Sequence, residues 1–285
     1  MDDDLTGTPE PSVSPTLQRL WDRDAPRRRG PKPALSVEQV VRAAMQIADA
    51  EGLDAVSMAR VGESVGYSSM ALYRYVTSKD ELLALMAETV AGDLEMPAYD
   101  GDDWRAGLEA WTRAQIEGLL ARPWFLELPL PTVRLGPNRV AWLDRAFAIM
   151  RHLALTPDEK LQVIGLLAQH VLGEGRVQLE TRRAAADAVR RRDGLPDDTP
   201  DSALDPAAVD ALNPYHDFET VLQHLANPDD YPDLFAALSA DPPAPPGSRH
   251  DDEWQDDMGF GMQIVLDGIA AFVEQRTATR RRSPG

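Results

Sequence analysis

The feature that most restricts this chain is a pair of short helical segments hinged on Gly66. Residues 58–65 follow Ser57 and residues 69–76 follow Ser68, and a serine oxygen can cap the start of each segment. Only Gly66 and Tyr67 remain to turn the chain between them, and glycine supplies the positive φ that so tight a turn needs. Gly62, four residues earlier, has no side chain, so the second segment can cross close over the first. Two short helices around a glycine turn form the helix-turn-helix pattern, whose second helix lies in the major groove of DNA.

The flanks extend this pair into a compact helical head. Ser36-Val-Glu-Gln39 reads as a capping box, with Ser36 as N-cap and Gln39 reaching back to it. Val37, Val40, Val41, Ala44, Ile47 and Ala48 then fall on one helical face, and Gly52 can end that helix. A second box, Ser78-Lys-Asp-Glu81, opens a further helix that turns Leu82, Leu83, Met86 and Val90 inward.

Ser68, Ser69, Met70 and Ala71 open the segment expected in the groove. Serine can donate to or accept from a base edge, and methionine or alanine can meet a thymine methyl. None offers a bidentate contact, so DNA shape is expected to carry part of the specificity. Lys79 stands at a helix N-terminus, where backbone N–H groups and the dipole attract a phosphate. Arg27, Arg28 and Arg29 precede the head and can follow the backbone or enter the minor groove; a solubilising tail is the alternative. Ser57 is expected to act chiefly as a cap, with phosphate donation secondary.

The net charge of −18 speaks against DNA binding until its distribution is considered. From residue 26 to 83, eight basic side chains face seven acidic ones, which leaves +1 there and −19 elsewhere. An acidic remainder repels phosphate and leaves one end tolerable to DNA; ordinary solubility charge would give the same asymmetry.

The runs Gly52-Leu-Asp-Ala-Val-Ser-Met58 and Val65-Gly-Tyr-Ser-Ser-Met-Ala-Leu-Tyr-Arg-Tyr-Val-Thr-Ser-Lys-Asp-Glu-Leu-Leu83 resemble the head of TetR (tetracycline-repressor-like) regulators. The resemblance implies that Tyr73 holds the position of a phosphate-contacting tyrosine. It implies that Tyr75 stands where an aromatic or histidine touches backbone or base, and that Lys79 is the phosphate-binding lysine. Leu72 and Val76 would be core. Gly62 departs from the family's usual alanine, which should loosen the helix by ~1 kcal/mol without altering docking.

Beyond Gly92 the chain reads as helices near 102–121, 138–153, 157–192, 217–226 and 254–276, with linkers at 193–206 and 240–251. Thr156-Pro-Asp-Glu159 is a strong helix start, and Gly173-Glu-Gly175 can kink the long helix it opens. The family resemblance, carried further by Gly261-Met-Gln-Ile-Val-Leu-Asp-Gly-Ile269, implies a homodimer through the 157–192 and 254–276 helices. The middle helices would then enclose a small-molecule pocket. Trp104, Trp111, Trp124, Phe125, Trp142, Phe147 and Met150 are candidate walls, since such sites are aromatic with few polar groups; ordinary core is the plainer reading of each. His170 and Glu174, four residues apart, are a candidate polar handle, though a surface pair is favoured over a metal pair.

The expectation is therefore an all-α chain. A disordered tail spans 1–25, a basic arm and DNA-binding head 26–91, a ligand-binding and dimerising body 92–276, and a tail 277–285. The function expected is a repressor that a small molecule releases from a palindromic operator. A regulator controlled by a protein partner, or by no effector, is the alternative. A metal-dependent helical enzyme is remote, because His152, His170, His216, His224 and His250 are scattered and no nucleophile elbow or phosphate loop is present. No cofactor or metal is expected, and the absence of cysteine excludes disulfides and thiolate chemistry. The start is acidic rather than a secretory signal, and no apolar run is long enough for a bilayer, so a cytoplasmic protein without a membrane partner is expected.

Overall fold

The computed structural model describes residues 14–22, 35–101, 103–213, 221–222, 224–239 and 257–282. Among them there is no strand. They fall into two compact units: residues up to 166 together with 273 onward, and residues 167–272.

The head is built from four helices. Helix α2 (Val37–Glu51) opens on the capping box expected at Ser36: its Oγ accepts the Gln39 N–H, and Gln39 Oε1 accepts the Ser36 N–H. It buries Val40, Val41, Ala44, Ile47 and Ala48, and Gly52 ends it at φ 84°. Helix α3 (Met58–Ser64) is capped by Ser57, and α4 (Ser69–Leu72) by Ser68. Gly66 turns the chain between them at φ 76°.

Helix α4 is shorter than the segment 69–76. Past Leu72 the chain continues as turns, closed by Tyr75 N–H to Leu72 C=O and Val76 N–H to Leu72 C=O. Aromatic and β-branched residues lose side-chain freedom in a helix, so Tyr73 to Thr77 sustain it poorly. Leu72 and Val76 are nonetheless fully buried, as expected of core.

Helix α5 (Lys79–Asp93) is capped by Ser78, whose Oγ accepts the Glu81 N–H. The reciprocal bond departs from the expected box by one residue. The Glu81 carboxylate accepts the N–H (2.7 Å) and hydroxyl of Thr77, not the N–H of Ser78. Every residue from Glu81 to Val90 is buried. A helix enclosed on all sides is a central element, and α5 packs against α2 and against the later helix α7 (Pro137–Ile149).

The N-terminal stretch 1–25, expected to be disordered, forms helix α1 (Pro15–Asp22) over part of its length. The reason is long-range and hence invisible in local composition. Leu20 is fully buried, α1 packs on α5, and Trp21 Nε1–H donates to Leu135 C=O at 3.1 Å.

Helix α6 (Trp104–Ala121) is capped by Asp103, and α7 starts with Pro137 in its first turn. Helix α8 (Pro157–Asp193) opens on reciprocal bonds between Thr156 and Glu159 and runs unbroken through Gly173 and Gly175. The stretch 193–206, read as a linker, is instead folded back. Leu204 joins Ala186 and Val189 in a small core, and helix α9 (Pro206–Ala211) begins at its end. Arg190 pins the return by donating to Thr199 C=O, Asp187 and Asp201. Helix α10 (Pro232–Ser239) buries no residue. Helix α11 (Asp257–Arg282) runs on through most of the stretch read as a C-terminal tail. Part of the expected 217–226 helix, and the 240–251 linker, lie outside the described residues.

Candidate nucleic-acid interface

The two glycines of the head do different work. A Cβ on Gly62 would sit 2.7 Å from Tyr67 O and 3.2 Å from Ser69 N, so α3 receives the α4 turn backbone against backbone. The Tyr67 N–H to Gly62 C=O bond of 2.8 Å closes that approach. Gly66 faces open space, and its requirement is purely the positive φ.

With its inner face fixed, the head turns a set of side chains outward. Met70 is 76% exposed and Tyr73 46%. Ser68 and Lys79 are exposed, while Ser69, Ala71 and Tyr75 are half-buried. Ser68 Oγ accepts the Ala71 N–H, which leaves its own O–H to donate. Ser57 Oγ accepts the Arg60 N–H and so serves as a cap, as expected first of it. Lys79 is the first residue of α5. Arg27, Arg28 and Arg29 lie outside the described residues.

One cluster escaped sequence reasoning. Arg42 on α2 forms a two-pronged pair with Asp93 at the end of α5, at 2.5 and 2.6 Å. Arg122, just past α6, reaches the same carboxylate at 2.8 Å and lies 3.8 Å from Asp49. Burial alone would raise the Asp93 carboxyl, but hydrogen bonds and charge from Arg42 and Arg122 outweigh it and hold the group below its ordinary range. The same Asp93 bond raises Arg42 above its usual value. These partners lie far apart in the chain, and nothing in residue spacing pairs them.

The aromatic residues do not behave as one group. Trp124 Nε1–H donates to Asp49 Oδ1 at 2.6 Å, which ties this side chain to α2. Trp111 and Trp142 pack with centroids 6.2 Å apart and planes tilted by 57°. Their N–H groups go to Trp142 C=O and Ala91 C=O. Phe125 and Met150 are buried; Trp104 and Phe147 are half-buried. Beside them, Asn138 N–H donates to the buried Glu88. Burial pulls the Arg139 guanidinium below its usual value, against the opposing charge of Glu88.

His170 and Glu174 belong to the other unit. A Cβ on Gly261 would lie 3.3 Å from His170 Cε1, and His170 Nε2 is buried without a hydrogen bond among the described residues. Glu174 accepts from Gln178 Nε2 at 2.7 Å, so the two expected handle residues are not bonded to each other. Among the described residues no group of three or more His, Asp or Glu is placed to hold a metal ion, and no helix is long and apolar enough to cross a membrane.

Comparison with known proteins agrees with this geometry. Residues 40–86 match the sequence profile of the bacterial regulatory proteins of the tetR family, and residues 96–273 match that of the tetracyclin repressor-like C-terminal domain. The HTH-type transcriptional repressor DrrR1 of Streptomyces coeruleorubidus is 37% identical over 265 residues, covering 93% of this chain and 88% of DrrR1. An HTH-type transcriptional regulator of Saccharopolyspora erythraea is 27% identical, over 61% of this chain and 77% of its own. The crystal structure of the TetR family protein ActR of Streptomyces coelicolor, in complex with actinorhodin, shares the fold. Its TM-score is 0.59 at 24% identity, over 84% of this chain and 98% of ActR.

Proposed function

The chain belongs to the TetR family of bacterial transcriptional regulators, and from that premise we propose that it is a repressor held as a homodimer on a palindromic operator until a small molecule releases it. The observation that carries the DNA half of the reading is the outward face of α4. Ser68, Ser69, Met70 and Ala71 meet base edges, while Tyr73, Tyr75 and Lys79 engage the backbone. Ser57 contributes as a cap, and Arg27, Arg28 and Arg29 extend the contact along the duplex. One such head makes few base contacts, and two heads on half-sites about 34–36 Å apart double them.

The dimer is assigned to α8 and α11. Leu161, Leu166, Leu172 and Val177 on the first, and Phe260 and Ile264 on the second, are each at least 40% exposed in the single chain. Exposed large apolar side chains on long helices suit a protein partner, here a second copy. The effector is assigned to the aromatic part of the body, with Trp104, Trp111, Trp124, Phe125, Trp142, Phe147 and Met150 as walls. ActR binds actinorhodin, so that compound is the first effector to try. Its release of DNA would be a coupling between two sites, and DNA would weaken effector binding by the same factor.

The test is a salt titration of binding to duplex DNA by the full-length protein and its Lys79→Ala variant. Removing Lys79 is expected to weaken binding to all sequences alike and to reduce the salt slope by about 1 per head. A loss confined to some sequences rules out the phosphate role. Adding actinorhodin to the operator complex then tests the effector. If DNA release depends instead on a cell extract's protein fraction, the regulator answers to a partner.

A further inference from the structure

We propose that Arg19, on helix α1, is a positioning residue for DNA binding: it neutralises the buried Glu81 carboxylate so that the end of α5 carrying Lys79 can accept a DNA phosphate. This rests on the assignment of Lys79 to the DNA backbone made above.

The need for such a residue follows from charge at one helix end. The first turn of α5 holds Lys79, Asp80 and Glu81, which together carry a net charge of −1. A helix N-terminus contributes roughly half a positive charge of its own. Alone, that turn is therefore net negative, the wrong sign for phosphate. Solvent does little to screen Glu81, since it is only 1% exposed. One of its oxygens is satisfied by the N–H and hydroxyl of Thr77. The other is buried and accepts no hydrogen bond, and what answers its charge is Arg19 Nε at 3.2 Å. With Arg19 counted, the side chains sum to zero and the helix's own positive end remains.

The rest of α1 makes that charge a fixed one. Leu20, next to Arg19, is fully buried, and Trp21 is tied to Leu135 C=O. The guanidinium is thus held in register with Glu81, where a flexible arm would bring it only part of the time. Glu81 also holds Thr77, the residue that leads into Ser78 and Lys79, so the same carboxylate shapes the turn. Glu81 is useful for its bonds and harmful for its charge, and Arg19 removes the harm while the bonds stay.

The experiment measures affinity of the full-length protein for a mixed-sequence duplex long enough for two heads, across salt concentrations. Four variants are compared with the wild type: Arg19→Ala, Arg19→Lys, Glu81→Gln, and Arg19→Ala with Glu81→Gln. Arg19→Ala is expected to weaken binding to every sequence by about tenfold at low salt, the deficit shrinking as salt screens it. Arg19→Lys should keep most of the affinity. Glu81→Gln, which retains an acceptor for Thr77, should bind at least as tightly as wild type, and Arg19→Ala should cost nothing in that background. A full loss in the Glu81→Gln background overturns the proposal, because Arg19 would then act by seating α1 or by touching DNA itself. Equal binding by Arg19→Ala and wild type overturns it as well. Should Glu81→Gln lose its fold by circular dichroism, the charge series Lys, Ala, Glu at position 19 decides alone. Affinity must fall in that order, and Lys as weak as Ala refutes charge balance. A wild type with no salt-sensitive affinity for any duplex would instead remove the DNA reading on which all this stands.

Discussion

Gly62 and Gly66 show how differently one residue type can be required. Gly66→Ala meets open space but must adopt φ 76°. Gly62→Ala keeps an ordinary helical φ, gains about 1 kcal/mol of helix propensity, and drives a methyl to 2.7 Å from Tyr67 O. That contact is with backbone, so the turn itself must move. Overpacking of this kind typically costs about 1–3 kcal/mol, which exceeds the gain. Gly62→Ala is therefore expected to lower thermal stability even though the family commonly has alanine there, and calorimetry of the two proteins checks the sign. The role of each glycine was legible in the sequence, because each depends on neighbours within a few residues. The loosening of about 1 kcal/mol expected of Gly62 counts helix propensity alone, and the Tyr67 carbonyl across the turn reverses the net sign for Gly62→Ala. The same limit hides the bond of Trp124, whose N–H goes to Asp49, 75 residues away.

Helices opened by local signals were read correctly from sequence, and those held by distant partners were not. The caps at Ser36, Ser57, Ser68 and Ser78 lie where side-chain chemistry put them. Helix α1 and the return at Arg190 depend on contacts that no window of sequence contains. Leu20→Ala should accordingly unseat α1 before the remaining fold. Truncating a fully buried leucine costs about 2–5 kcal/mol, more than an eight-residue helix can otherwise supply. Hydrogen exchange should then accelerate over residues 14–22 and stay slow in α5; slow exchange in α1 would contradict this. The Arg42–Asp93–Arg122 cluster predicts an acid response. Asp93 has a lowered folded pKa, so its stabilisation is fully present above the ordinary aspartate value and is lost as pH falls through the folded one. Between neutral pH and about pH 3 the wild type should lose more stability than Asp93→Asn does, measured by denaturant unfolding at each pH. Parallel pH profiles would show that the cluster contributes nothing on folding.

At the scale of the whole molecule, a change of pattern near residue 92 was legible, and it falls between the stretches 40–86 and 96–273 that match the two family profiles, while the compact units divide at residue 166. Which body residues form the ligand wall was not legible, since pocket and core draw on the same aromatic residues. The proposed two-fold assembly makes its own prediction. Ile264 is 55% exposed on α11, so Ile264→Glu should leave the monomer fold intact while placing a charge in the proposed interface. Light scattering should report a single chain, with DNA affinity reduced as paired heads are lost. A dimer that persists would move the interface off this face.

Helix α5 is enclosed for ten successive residues, by α2 on the side of the head and by α7 beyond it. Such a rod belongs to both halves at once, which sets a limit on evolution and on engineering alike. A hybrid regulator made by cutting near residue 92 and grafting on a foreign effector domain would inherit half of each interface. Working hybrids must carry α7 along with the head, or redesign the matching face of α5.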